Sequence, residues 1–280
     1  MSAARARGAR RGEAWIINGA LLGAAVVAVF PLLWMISVSL MAPGEASTAP
    51  PPLVPAAPTL AGYRELFTRA DMARNLVNSL GLAVAATVLS LAFNVAAGYA
   101  FAKLRFAGRE LLWRLLLGMM LIPAQVAMIP LFLMLKEAGF VNSYIGVLVP
   151  SLANVFGIFL VRQYALAIPD ELLEAARIDG ASELRIFRSI VLPVLRPILV
   201  TLAIFAFLGS WNDFLWPLIV LTDDAKQTLP VALAALGREH AGDSELMMAG
   251  AVVTIVPVLV LFLALQRYYI QGLLAGSVKG

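Results

Sequence analysis

Long apolar runs separated by short polar stretches dominate the pattern of this chain. A helix needs about 20 apolar residues to cross a hydrocarbon layer roughly 30 Å thick. Six runs reach or approach that length, and they cover residues 16–40, 76–102, 111–135, 145–161, 198–221 and 246–265. The pattern therefore predicts an all-α, polytopic membrane protein with six transmembrane helices.

Prolines lie inside or at the ends of these runs, at positions 31, 123, 130, 150, 217 and 257. Membrane helices tolerate proline when neighbouring groups satisfy the freed carbonyls, so we expect several kinked spans. A secretory signal also begins with basic residues, such as Arg5, Arg7, Arg10 and Arg11 before the first run. The apolar core of a secretory signal, however, is only about 7 to 15 residues long. The first run is longer, which favours a membrane anchor.

The composition excludes whole classes of function. Hydrophobic residues make up 61% of the chain, charged residues 14%, and the mean hydropathy is +0.88, whereas soluble domains are roughly 45 to 50% apolar. With no cysteine and one histidine, His240, we expect no metal site and no catalytic nucleophile of the cysteine type. In so apolar a chain the net charge of +4 gives no reason to expect a nucleic acid partner.

The distribution of lysine and arginine predicts the orientation, because cytoplasmic loops retain these residues. The basic residues on the side of the N-terminus are Arg5, Arg7, Arg10, Arg11, Lys103, Arg105, Arg109, Arg114, Arg162, Arg177, Arg185, Arg188, Arg196, Arg267 and Lys279. The opposite side has Arg64, Arg69, Arg74, Lys136, Lys226 and Arg238. We therefore expect the basic N-terminus (1–15) and the tail (272–280) to be cytoplasmic, and the proline-rich loop after the first span to be external.

The segment 162–192 between the fourth and fifth runs is too long for a simple helix connection, which has about 2 to 8 residues. Pro169, followed by two acidic residues, is typical of a helix start, and Gly180 of a helix end. A second amphipathic helix is predicted from about Ser182 to Pro193. Acidic residues on these helices disfavour a lipid surface as the binding partner and favour a protein. Glu183 is expected to be a solvent-screened surface residue.

Fixed positions in this segment carry a specific resemblance. Glu174-Ala175-Ala176, then Gly180, Ile190, Leu192 and Pro193 are spaced as in the EAA loop of permease subunits of binding-protein-dependent ABC importers. Ile178-Asp179-Gly180-Ala181-Ser182, Trp211-Asn212-Asp213-Phe214 and the tail from Gln266 to Gly280 resemble the carbohydrate branch of that family, of the maltose and glycerol-phosphate type.

The resemblance implies a type I ABC importer permease fold over residues 16–271, in a bacterial inner membrane. It implies four kinds of partner: a second homologous permease, two ATPase subunits, an external substrate-binding protein and membrane lipid. Glu174, Ala175, Ala176, Asp179 and Gly180 would dock the ATPase. The chain lacks a GxxxxGK[ST] phosphate loop, so ATP and magnesium are expected on the partner subunits, with no cofactor and no catalytic residue in this chain.

Asp213 is the acidic residue inside a predicted span, and such residues are functional candidates. It could pair with Asn212 or a partner helix, line a substrate path, or relay protons in an ion-driven secondary transporter. An intramembrane transferase is a further alternative, and it would need a catalytic partner for Asp213. Trp211 and Trp216 could stack on a sugar, but packing or anchoring at the membrane interface is the favoured interpretation.

Overall fold

The structure is a computed structural model. It describes the backbone of residues 2–68, 70–240 and 242–275 and the side chains of 16–68, 70–240 and 242–266. Regular structure in these residues is entirely helical, which confirms the predicted all-α fold. The side chains of the basic N-terminus (1–15) and the tail (272–280), on which part of the orientation argument depends, lie outside the described residues.

Thirteen α-helices occur in the described backbone. They are α1 (Ser2–Ser39), α2 (Ala61–Thr68), α3 (Met72–Lys103), α4 (Arg109–Met119), α5 (Met128–Glu137), α6 (Tyr144–Leu148), α7 (Val155–Leu166), α8 (Asp170–Ile178), α9 (Glu183–Ile186), α10 (Leu192–Trp211), α11 (Leu215–Val220), α12 (Leu229–Glu239) and α13 (Ser244–Ala275).

Four helical stretches in the described chain are long and apolar enough to cross a membrane: Ile16–Ser39, Met72–Lys103, Glu183–Trp211 and Ser244–Gln266. The third and fourth predicted spans are bent pairs instead. Arg109–Met119 and Ala124–Glu137 meet at 102°, and Tyr144–Ser151 and Val155–Leu166 meet at 41°. If each pair crosses once, the number of spans reaches six.

Local chemistry explains both bends. The third span turns immediately before Pro123, whose ring disfavours helical geometry in the preceding residue. The fourth span is interrupted at Asn154, which has extended backbone geometry and caps α7 by accepting a hydrogen bond from the Gly157 N–H at 3.1 Å. Both breaks are thus built from residues that favour helix ends.

The fifth span differs from its predicted bounds of 198–221. Helix α9, a π-helical turn at Phe187–Val191 and α10 form one continuous helix from Glu183 to Trp211. The prediction that Pro193 ends a separate amphipathic helix was wrong. A π turn bonds each carbonyl to the fifth residue onward, and this spacing relieves the clash that proline makes with the carbonyl four residues before it.

The described chain divides into two compact units. The first unit comprises residues 1–71 and 235–255 and contains α1, the proline-rich loop, α2 and the beginning of α13. Its loop has no helix before Ala61. Glu45 accepts hydrogen bonds from the N–H groups of Ala42 and Ala56 at 3.0 and 2.7 Å, and buried Glu245 accepts one from Ala46 at 2.8 Å. These carboxylates hold the loop in one conformation.

The second unit comprises residues 72–234 and 256–280. Helix α3 is its centre and packs against α7 and α10. Gly98 makes the α3–α7 crossing possible, because an added Cβ there would lie 2.6 Å from Val161 Cβ. Gly157 of α7 similarly allows a close contact with buried Asn94 of α3, because a Cβ added to Gly157 would lie 2.7 Å from Asn94 Nδ2. Small residues of this kind let membrane helices approach closely.

We predict that Gly98→Ala destabilises the second unit. The new methyl group would collide with Val161 Cβ, which cannot swing away, so α3 and α7 would have to separate. Overpacking of this kind typically costs about 1 to 3 kcal/mol. Gly81→Ala on the same helix is the matched control, since nothing lies within 4 Å of its added Cβ. Thermal unfolding in detergent measures the difference, and equal midpoints for the two variants would contradict the close crossing.

Candidate functional site

Helix α8, in the centre of the segment 162–192, begins and ends as its residue types dictate. Asp170 and Glu171 occupy its first turn and Arg177 its last, which complements the helix dipole. At the end, Gly180 has φ +80°. The N–H of Ala181 donates to the Ala176 carbonyl at 2.9 Å, and that of Gly180 to the Arg177 carbonyl at 3.0 Å. This Schellman arrangement confirms that Gly180 ends the helix.

The two faces of α8 have different environments. Leu173, 1% exposed, belongs to a core cluster with Tyr99, Val161, Ile186 and Leu195, and Ala176 packs half-buried against that cluster. Leu172, next to Leu173 in sequence, is 45% exposed. On the outer face Glu174, Ala175, Asp179 and Gly180 are exposed, and Ile178 is 86% exposed. The outer face is therefore open to a partner, while the inner face is fixed to the helices.

Glu183 is exposed as predicted, with 49% of its side chain accessible, but it also connects three elements. Its Oε1 accepts a hydrogen bond from Arg177 Nε of α8 at 2.6 Å, and its Oε2 accepts one from Tyr99 Oη of α3 at 3.1 Å. Ser182 caps α9 just before it by accepting from the Arg185 N–H at 3.4 Å. The hydrogen bond and charge of Glu183 raise the pKa of Arg177.

Lys103 joins the end of α3 to the other end of α8. Its Nζ donates to the Ile168 carbonyl and to Asp170 Oδ1, both at 2.6 Å. The Lys103 side chain is 6% exposed, whereas that of Asp170 is 73% exposed. The hydrogen bond and charge of Lys103 lower the pKa of Asp170. Helix α8 is thus attached to α3 near its first residue and, through Glu183, near its last.

A cavity of about 190 Å³ lies inside the second unit, between α3, α7 and α10. Its polar lining consists of Ser90, Asn94, Ser151, Asn154, Ser210, Asp213 and Thr228. Several of these groups also hold backbone: Asn94 Oδ1 accepts from the Asn154 N–H at 2.9 Å, and Asn94 Nδ2 donates to Ser90 Oγ at 2.7 Å. The Thr228 hydroxyl is buried with no hydrogen-bond partner. The polar wall of the cavity therefore includes groups that also hold the backbone in place.

Asp213 lies at the break between α10 and α11 and lines the cavity. Its Oδ1 accepts a hydrogen bond from the Trp216 N–H at 3.3 Å, as a helix-capping residue does. The expected pairing with Asn212 is not formed, because Asn212 Nδ2 donates to the Leu208 carbonyl at 2.9 Å. Asp213 therefore has a structural role as a helix cap and also lies in the cavity wall.

Both tryptophans are packing residues. Trp211 is 1% exposed and stacks on Phe207 with ring centroids 5.8 Å apart and an interplanar angle of 9°. Trp216 is 7% exposed, and its Nε1 donates to the Gly146 carbonyl at 3.1 Å. Both side chains are thus enclosed by protein, and neither is among the residues that line the cavity. Phe156 and Phe205, which were not singled out, are the aromatic residues in the cavity wall.

Sequence reasoning also missed Asn94 and the attachment residues Tyr99, Lys103 and Arg177. Asn94 carried a usable signal, since a carboxamide in the middle of an apolar run needs a hydrogen-bonding partner. The attachment residues carried no such signal, because Tyr99 and Glu183 are far apart in sequence and meet only when α3 and α10 pack together. The five predicted docking residues lie together on one short segment, at the end of the unit where α3 ends and α10 begins.

The family of binding-protein-dependent transport system inner membrane components matches residues 94–274, a range that includes α8 and the cavity-lining part of α10. The chain belongs to this family. The permease is 39% identical to the arabinooligosaccharides transport system permease protein of Halalkalibacterium halodurans, over 95% of this chain and 96% of that relative. It is 33% identical to the trehalose transport system permease protein of Mycobacterium tuberculosis, over 98% of this chain and all of that relative.

A solved structure resembles the permease over most of its length. It is a bacterial ABC transporter involved in the import of the acidic polysaccharide alginate, with a TM-score of 0.81 and 26% identity. The alignment covers 91% of the permease and 95% of that chain. The type I importer permease fold expected from the EAA-type spacing is therefore confirmed.

We predict that Asp213→Asn keeps the stability of the permease and that Asp213→Ala lowers it. Asparagine retains an oxygen that can accept from the Trp216 N–H, whereas alanine leaves that donor without a partner, at a typical cost of about 0.5 to 2 kcal/mol. The thermal midpoints of both variants in detergent are the measurement. If asparagine destabilised as much as alanine, the charge of Asp213, and not its capping bond, would be what the fold requires.

Proposed function

We propose that this permease forms half of the membrane pathway of an ABC importer and takes up a sugar or sugar derivative by alternating access. The observation that carries the proposal is the family match across residues 94–274, joined to relatives whose names refer to oligosaccharide and disaccharide transport. The complete transporter would contain a second homologous permease, two ATPase subunits that hold ATP and magnesium, and an external binding protein.

The outer face of α8 is the proposed docking site for an ATPase subunit. Glu174, Ala175 and Asp179 are exposed there, so a partner can reach the charge of Glu174 and approach closely over Ala175. Gly180 ends α8 and turns the chain towards α9, and Ala176 packs behind the exposed face. ATP-driven movement of the partner would push on a helix that is already attached to the spans.

The cavity is the proposed contribution of this subunit to the substrate path. Sugars present hydroxyl groups and apolar C–H patches, which match Ser210 and Asp213 on one hand and the rings of Phe156 and Phe205 on the other. The break after Trp211 supports this role, since irregular backbone at membrane depth occurs where it lines a cavity or lies buried in protein. The same polar set supports passage of a hydroxyl-rich molecule.

The orientation follows from the distribution of basic residues. We place both termini and the segment 162–192 in the cytoplasm, and the loops that contain Lys136 and Lys226 outside the bacterial inner membrane. In this orientation the outer face of α8 meets the compartment that contains ATP. The opposite loops meet the binding protein.

We predict that Glu174→Ala weakens retention of the ATPase by more than about tenfold. Removing one partner of a desolvated charge pair typically costs about 2 to 5 kcal/mol, and about 1.4 kcal/mol corresponds to one decade. Co-purification of the ATPase and uptake of labelled sugar into proteoliposomes are the measurements. Glu110→Ala is the control, because its pair with Arg114 at 3.2 Å is exposed and lies within one helix. Normal retention by Glu174→Ala would argue against docking on α8.

Gly180 tests the turn without removing a charge. Valine at φ +80° is strained by roughly 1 to 2 kcal/mol, although nothing lies within 4 Å of an added Cβ. We expect Gly180→Val to reach the membrane but to lose ATP hydrolysis stimulated by the binding protein, together with sugar uptake. Gly180→Asn should retain both activities, because asparagine tolerates the left-handed conformation. If both substitutions behaved alike, the glycine conformation would not be the cause.

The orientation is tested with single cysteines, since the chain has none of its own. We expect an impermeant thiol reagent added to intact spheroplasts to label Asp224→Cys and to leave Glu110→Cys unlabelled until the cells are opened. Both positions are exposed, so access depends on sidedness and not on burial. The reverse pattern would invert the orientation and move α8 away from ATP.

A further inference from the structure

Two helices that line the cavity extend to α8. Helix α3 contributes Ser90 and Asn94 to the cavity, and Tyr99 and Lys103 lie further along the same helix. The continuous helix Glu183–Trp211 contributes Phe205 and Ser210, and Glu183 is its first residue. A displacement of either helix at the α8 end would therefore change the cavity wall.

Glu183 is the point where these two helices and α8 meet. One carboxylate oxygen accepts from Arg177 at the end of α8, and the other accepts from Tyr99 on α3. The Tyr99 ring is 4% exposed and lies 5.3 Å from the ring of Phe187 in the π turn. The carboxylate thus has one bond to the proposed docking helix and one to a buried residue of the pathway.

We propose that Glu183 is a positioning residue that joins α8 to both cavity-lining helices, so that movement of α8 changes the cavity. The proposal rests on the proposed function as an ATP-driven importer. Because Lys103 holds the first residue of α8 to α3, the bond from Arg177 to Glu183 completes the attachment of α8 at both ends. A rigid attachment transmits displacement, whereas a helix held at one end can pivot without moving the spans.

A merely structural role for Glu183 predicts a different result. It would reduce the amount of folded permease, and ATP hydrolysis and sugar uptake would fall together. The positioning role predicts that ATP hydrolysis continues while less sugar is moved per ATP. The ratio of sugar transported to ATP hydrolysed therefore separates the two roles.

We expect Glu183→Gln to lower that ratio at least about threefold, a factor that corresponds to about 0.7 kcal/mol at about 1.4 kcal/mol per decade. Glutamine keeps an oxygen for Tyr99 but loses the charge that Arg177 requires. Tyr99→Phe should lower the ratio in the same direction, because it keeps the ring beside Phe187 and removes only the hydroxyl. Glu183→Asp, which keeps the carboxylate, should recover part of the coupling.

Glu110→Gln is the matched control, since it removes the same charge from an exposed pair with Arg114 that touches neither α8 nor α3 in its bonding. Its ratio should equal that of the wild type. A Tyr99→Phe, Glu183→Gln double variant should be less impaired than the sum of the single effects, because contacting residues on one network are not additive.

A distance measurement tests the inference independently of transport. Spin labels at Ala107→Cys and Ile178→Cys report the separation between the loop that follows α3 and the end of α8 that Arg177 attaches; both positions are exposed. We expect a narrow distribution in the wild-type background and in Glu110→Gln, and a broader one in Glu183→Gln. If the wild-type complex failed to take up any sugar, the proposed function would be wrong, and the distance distributions alone would test whether Glu183 holds α8 in place. An unchanged distribution, or an unchanged ratio in a working transporter, would overturn the role of Glu183.

Discussion

The need to satisfy every backbone polar group at membrane depth is the constraint on which the rest of the second unit depends. Each break in a span frees N–H and carbonyl groups that lipid cannot solvate. Side chains meet this requirement at two breaks, Asn94 and Asn154 before α7 and Asp213 before α11, and Ser79 Oγ accepts from the Leu229 N–H at 2.6 Å at the start of α12. The side chains that bond the freed backbone groups are largely those that line the cavity. The same residues therefore serve the stability of the fold and the polarity of the cavity.

Hydropathy predicted the helical class and the approximate position of each span, because burial of apolar side chains in lipid depends on composition and length alone. It could not predict where the spans break or where the fifth span begins. Residues 183–191 were read as a separate amphipathic helix because Arg185 and Arg188 interrupt the apolar run. Tertiary packing of Ile186 and Val191 into the core with α3 overrides that local pattern and makes the segment the start of a span.

The candidate site, like the fold, could be predicted from the sequence only in part. Local geometry was readable, so the end of α8 at Gly180 followed from one glycine and its spacing. Contacts between distant parts of the chain were not readable. Glu183 is exposed as predicted, but its bond to Tyr99 forms only in the folded unit, and the sequence did not single out Phe156 and Phe205. For Asp213 the sequence suggested more than the structure shows. An acidic residue inside a span suggested a functional role, but one of its carboxylate oxygens accepts a hydrogen bond at the start of a helix.

The π turn at Phe187–Val191 has a consequence for the register of the whole fifth span. An i to i+5 turn accommodates one residue more than an α-helical turn, and one residue of an α-helix corresponds to about 100° of rotation. Deleting a single residue from this turn would therefore bring the bonds back to ordinary α-helical spacing and rotate everything beyond it. Phe205 and Ser210 would face away from the cavity, and residues now directed elsewhere would take their place. One inserted residue thus sets which side of a membrane helix faces its passage.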